Sequence, residues 1–100
     1  MRISKTGEPI NPFEPLADGV LGYAVEHEGA VYLPDIRAAR EGRGDVGRFL
    51  DSLDKAKTWK VPNVISARLA GMLERRGWKK TVEHDPVLGP VGVFVREGAR

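Results

Sequence analysis

Between Arg40 and Leu53 the sequence REGRGDVGRFLDSL runs from glycines set among arginines straight into apolar residues at Val46, Phe49, Leu50 and Leu53. That i, i+3, i+4, i+7 spacing marks one face of an α-helix. It predicts a helix that begins at the glycines and fades by Lys57. Immediately upstream, VLGYAVEHEGAVYLPDIRA holds two β-type runs, with Tyr23, Val25, Val31, Leu33 and Ile36 as their β-favouring side chains. The turn residues of Glu26–Gly29 divide them, so the segment reads as an antiparallel hairpin. Pro34 interrupts its second strand and predicts a bulge or an edge there. A hairpin that feeds a glycine turn and then a helix commits the chain to a sheet with helices packed on it.

The remainder extends that pattern. TWKVPNVI reads as a short strand, and Ile65, Leu69, Met72 and Leu73 repeat the helical spacing. Ser66 or Asn63 suits the start of this second helix, and Gly77 sits where a left-handed stop belongs. WKKTVEHD and GPVGVFVRE then form a second hairpin across PVLGP. The predicted order is β-β-α-β-α-β-β, an α/β (α+β) fold with a mixed, mostly antiparallel sheet and two helices. Four glycine or proline breaks in GEPINPFEP make residues 1–18 an extended lead-in, with a short strand at Arg2–Ser4, before a single domain over 19–100. Trp59 and Trp78 are expected as core or interface anchors.

Composition narrows the function classes. One hundred residues, 41% hydrophobic and 30% charged, suit one small folded domain rather than a disordered chain. The absence of cysteine excludes disulfides and thiolate chemistry. No apolar run approaches the ~18 residues of a membrane span. MRISKTGEPI lacks the apolar core of a signal peptide, so a cytoplasmic location is expected. A net charge of +2 does not by itself favour nucleic acid. The cluster Arg75, Arg76, Lys79 and Lys80 suits a helix C-terminus. His27 falls in a turn and His84 at a hairpin end with no third ligand at suitable spacing, so no metal is expected.

The glycine stretch carries the chemistry. Gly42-x-Gly44-x-x-Gly47 matches the dinucleotide-binding fingerprint, but the acidic residue required ~20 positions on is absent from WKVPNV. Read as a Walker loop, the same stretch has Arg48 and Phe49 in place of the lysine and hydroxyl. The physics of the turn is independent of both labels. Glycines let the backbone approach a ligand closely, and the helix beginning near Val46 presents unpaired N–H groups to an anion. Arg40, Arg43 and Arg48 supply charge-assisted contacts to a pyrophosphate. The other reading is a left-handed glycine turn with solvated arginines and no ligand. Asp45 puts a carboxylate where a phosphate would sit, which requires it to turn away or pair with Arg43 or Arg48.

YLPDIRAAREGRGDVGRFLDSL followed by VPNVISARLAGMLERRGW resembles the coenzyme-binding half of the GNAT superfamily of N-acetyltransferases, in a short form similar to small bacterial or phage-encoded members. The resemblance spans roughly Val20 to Arg96. It rests on the order of elements, on the Glu41–Gly47 loop and on Arg76-Gly77-Trp78 for the family's Gly-Phe step. It implies a minimal GNAT-like sheet and acetyl-CoA as substrate. Gly42, Arg43, Gly44, Val46, Gly47 and Arg48 would then contact the pyrophosphate, and Asn63 the coenzyme arm. A backbone N–H at Ile36 or Arg37 would polarise the thioester carbonyl. The family often carries a tyrosine, acting as general acid, four residues before the helix-ending glycine; Leu73 holds that place here. Two early helices of the family have no counterpart.

Acetyl transfer needs a general base for the amine, and Asp35, at the end of the strand feeding the loop, is the first choice, with Glu26 and Glu28 as others. Tyr32 and Tyr23 are the available hydroxyl acids. The expected function is acetyl-CoA-dependent N-acetyl transfer to a small-molecule or protein amine. The alternative is a catalytically inactive protein-binding module or inhibitor on the same fold. Exposed sheet edges suit a homodimer.

Overall fold

A computed structural model describes residues 1–11 and 13–99. In chain order they form β1 (Ile3–Lys5), β2 (Pro15–Ala17), β3 (Val20–His27), β4 (Ala30–Ala38), α1 (Asp45–Ser52), β5 (Thr58–Pro62), α2 (Ala67–Arg75), β6 (Lys79–Asp85) and β7 (Gly89–Arg96). The architecture is α+β, with a mixed seven-stranded sheet and two helices among the described residues. The strands lie in the order β1-β3-β4-β5-β7-β6, and β2 also pairs with β3. The lead-in therefore supplies two strands rather than one. β1 runs parallel to Ala24–Glu26 and β2 antiparallel to Val20 and Leu21, so together they line the outer edge of β3.

The β3–β4 hairpin closes through Glu28 and Gly29, with φ of 51° and 79°. Two consecutive left-handed residues match the right-handed twist of the strands they join. Along this hairpin Tyr23 pairs with Asp35 but Val25 with Tyr32, so β4 carries one extra residue at Leu33–Pro34. This is the bulge that Pro34 predicts. Beside it the strands run so close that a Cβ on Gly22 would overlap the Asp35 carbonyl oxygen.

Alternation along the strands sorts the side chains to two faces. Val20, Ala24, Val31, Leu33, Trp59, Val61 and Phe94 point one way and form a single cluster with Phe49, Leu50 and Leu53 beside α1 and Leu73 of α2. Both helices thus cover the same face. Trp59 and Trp78 are core residues, 1% and 4% exposed. Trp59 also donates from Nε1 to the Asp54 carbonyl at 2.8 Å. The second helix starts later than its apolar pattern suggests. Ser66 caps it, its hydroxyl accepting from the Leu69 N–H, and Ile65 lies outside the helix, 94% exposed. Asn63 is not the cap. It takes a left-handed turn of φ 54° after β5 and donates its N–H to the Gly92 carbonyl at 2.8 Å. Gly77 provides the left-handed stop at φ 81°.

Candidate functional site

The parallel ladder between β4 and β5 has only three residue pairs: Ala30 with Thr58, Val31 with Trp59 and Tyr32 with Lys60. Past Tyr32 comes the bulge, and from there β4 runs on to Ala38 without a partner in β5. Two parallel strands that part in this way leave a gap at their C-terminal ends, where ligands of α/β sheets bind. A cleft of about 320 Å³ occupies this region. Its walls are Ile36, Arg37 and Ala38 from β4, Arg40 to Gly42 and Gly44 from the glycine turn, and Asp45 and Val46 from α1. Ser66, Arg68, Leu69 and Met72, from the cap and body of α2, complete it. The size lies within the range of small-molecule sites.

Two helix starts converge on this cleft. Gly44 is the N-cap of α1, left-handed at φ 69°, and offers no side chain to the first N–H groups of the helix. Those groups have no intrahelical acceptor and carry the positive end of the helix dipole. Arg68 stands in the first turn of α2, where a cation opposes the dipole. It makes no ion pair among the described residues, and no acidic residue shares that turn. With Arg37 and Arg40 it gives three arginines among the residues of the cleft wall, beside Glu41 and Asp45.

Asp45 resolves the conflict raised by its position. Its side chain is 5% exposed and accepts from Arg48 and, at 3.5 Å, from Arg40. A Cβ on Gly19 would overlap its carboxylate, so that group is turned toward the start of β3. Arg48 is one of the two partners that the sequence offered; Arg40 replaces Arg43 as the other. Arg40 also lies 3.6 Å from Asp18.

The residues expected to hold a coenzyme divide into two groups. Ile36, Arg37, Gly42, Gly44 and Val46 line the cleft, whereas Arg43, Gly47, Arg48 and Asn63 do not. Gly47 is buried between the helices, where a Cβ would stand 2.9 Å from Arg76 Nη2 and 3.6 Å from the Met72 methyl. Its small size serves helix packing. Arg48 is drawn to Asp45, and Asn63 makes the turn after β5. Arg68, Leu69 and Met72 also line the cleft, although the apolar spacing marks Leu69 and Met72 only as part of a helix stripe. The cap at Ser66 is the local signal for all three, because it starts α2 so that these positions fall on the side facing the loop.

Of the proposed bases, Asp35 directly precedes the cleft residue Ile36, and its carboxylate receives Arg37 Nε at 3.4 Å. Glu26 pairs with Val31, five residues before Ile36, which places it about 16 Å along the hairpin from the cleft. Glu28 lies farther still, in the turn. Neither glutamate shares a site with Asp35. Tyr23 is the register partner of Asp35.

Tyr32 belongs to a different cluster, on the face opposite the helices. Its hydroxyl donates to Glu83 at 2.7 Å, and Lys60 Nζ reaches Glu83 at 2.5 Å and the Tyr32 hydroxyl at 3.4 Å. Burial and the Glu83 carboxylate raise the Tyr32 hydroxyl above its ordinary pKa. The hydrogen bond to Glu83 raises that of Lys60, against the opposing effect of burial. Burial pushes the Glu83 carboxyl up, but Lys60 and Tyr32 outweigh it and hold the group below its usual value. A phenol held protonated beside an ion pair is a structural brace across β4, β5 and β6.

Comparison with protein-family models, curated proteins and solved structures finds no match to this chain.

Proposed function

We propose that the chain is a short, divergent GNAT-type protein that binds acetyl-CoA in the cleft between β4, the glycine turn and α2, and transfers the acetyl group to an amine. The parting of the parallel strands at the Pro34 bulge carries this reading. It opens a cleft that meets the start of α1 and is lined by Arg37, Arg40 and Arg68. An anion of the diphosphate class fits this convergence, because helix starts and arginine forks favour the same ligand charge. The pantetheine arm would run along the unpaired end of β4, where Ile36 and Arg37 offer backbone N–H groups to the thioester carbonyl. Asp35 would take the proton from the attacking amine as the C–N bond forms and the C–S bond breaks, and the coenzyme would leave as its thiolate and take a proton from solvent.

A second reading, the same fold binding a partner without catalysis, draws on Leu73. The position of the family's tyrosine acid is held here by a leucine with no exposed surface, locked in the core. No hydroxyl reaches the cleft from that turn.

Acetyl-CoA is expected to raise the melting temperature, since a ligand bound only by the native state stabilises it by mass action. Gly44→Val is expected to remove the shift, because φ 69° is strained for a β-branched residue and its side chain would cover the turn. No shift with wild-type protein at millimolar coenzyme would sink both coenzyme binding and transfer. A shift without release of free thiol in the presence of amines would leave the non-catalytic reading.

A further inference from the structure

β6 ends the sheet, and its outer edge has no strand partner among the described residues. Six of its seven residues are exposed; Glu83, tied to Lys60 and Tyr32, is the exception. An edge strand this long is a template for another strand. Its sequence, KKTVEHD, changes sign about its centre: two lysines lead, Val82 stands in the middle, and Glu83, His84 and Asp85 follow.

We propose that two copies of the chain associate through β6, antiparallel, with Val82 on the twofold axis. This register faces Lys79 with the partner's Asp85, Thr81 with the partner's Glu83, and Lys80 with the partner's His84. All seven residues of each strand are paired, and Lys79 of each strand meets the Asp85 of the other. Opposite charges directly across an antiparallel pair are favourable, and like charges are not. A shift by two residues in one direction sets Glu83 against the partner's Glu83. A shift by two in the other pairs only five residues of each strand and exchanges the Lys79–Asp85 pairing for Lys79 against the partner's Glu83, a carboxylate already held by Lys60 and Tyr32. A twofold contact is isologous, so one self-complementary strand suffices to build it and to close it.

Exposed apolar groups support the same face. Val82 is 61% exposed, and Val87 and Leu88, in the turn joining β6 to β7, are 89% and 72% exposed. The proposed register sets Val82 against the partner's Val82, and brings the Val87–Leu88 turn level with the partner's Gly77 at the end of α2. The inference is independent of the coenzyme reading, since neither β6 nor this turn borders the cleft.

The test uses the full chain in sedimentation equilibrium from low micromolar to near-millimolar concentration. The wild type is expected to dimerise. V82K and V82E each place like charges on the twofold and are expected to weaken the dimer about fivefold. An equimolar mixture of V82K and V82E is expected to associate more tightly than either alone, because only the mixed pair sets Lys against Glu. K79E, which opposes the partner's Asp85, is expected to weaken the dimer as well. Val82 is exposed, so both variants should retain the wild-type melting profile. A monomeric wild type overturns the proposal on its own. So does a wild-type dimer that V82K leaves unchanged, or a mixture no tighter than its components.

Discussion

The two faces of the sheet solve the problem of burial differently. On the helix-covered face, eight strand residues and both helices share one apolar cluster, and Trp59, Leu33, Leu50 and Leu73 are almost wholly withdrawn from water. On the other face, which carries no helix among the described residues, Tyr32, Lys60 and Glu83 form a polar brace that reaches from β4 and β5 to the edge strand β6. Val93, 1% exposed, lies on that face and outside the cluster. In a chain of one hundred residues, the two helices cover only one side of the sheet. The uncovered side is held by side chains long enough to shield apolar surface with their stems while keeping charged ends in contact with water.

The largest expected effect tests the covered face. Trp59→Ala removes a fully buried ring from the middle of the cluster and should cost about 3–5 kcal/mol. That is a large share of the total for a domain of this size, ~5–15 kcal/mol. A urea midpoint that moves only slightly would mean that the two faces contribute more equally than their burial implies. A smaller change tests how α2 is seated on that face. Ser66→Ala deletes the cap that accepts from Leu69 and should cost about 1 kcal/mol, read from the same denaturation curves.

The smallest effect tests the brace. Glu83→Gln should cost no more than about 1 kcal/mol, because the pair with Lys60 keeps access to solvent. Its signature lies in the pH profile. The carboxyl of Glu83 is held below its ordinary value, so its contribution is present at neutral pH and is lost as the pH falls through that lowered value. Lys60 and Tyr32 are both raised, so their contributions are lost as the pH rises through their own raised values. The variant should therefore show a flatter stability curve at both extremes than the wild type, measured as midpoint against pH. Parallel curves would remove the brace from the comparison.

How much of this was legible depended on the range of the interaction. The β3–β4 hairpin followed from alternating side chains and a local turn, and Pro34 marked its bulge because a missing N–H cannot continue a ladder. α1 followed from its apolar spacing, although Leu53 ends it with extended backbone rather than letting it run toward Lys57. Three-residue β2 left no period to read; its strand character comes from the edge of β3. Ile65 fitted the helical spacing but falls before the cap, where side-chain hydrogen bonding overrides apolar pattern. At the candidate site, the glycine turn was visible as letters, and so was the choice open to Asp45. Arg40 and Arg48, which share its carboxylate, both lie within five residues of it, whereas that Arg68 faces the loop from another helix depends on packing between elements far apart in sequence. The Tyr32–Lys60–Glu83 brace spans 51 residues and has no local signature at all.

The position of β7 between β5 and β6 has a consequence for biosynthesis. Neither of those strands has its antiparallel neighbour until residues 89–96 have left the ribosome, so β6 stays unpaired and β5 paired on one side only while the β3–β4 hairpin and α1 are already free to fold. During that interval the hydrophobic side of β5, with Trp59 and Val61, lacks its final cover of Phe94. The time that separates the emergence of β5 from that of β7 would govern how long this nascent chain is open to capture by chaperones or by its neighbours.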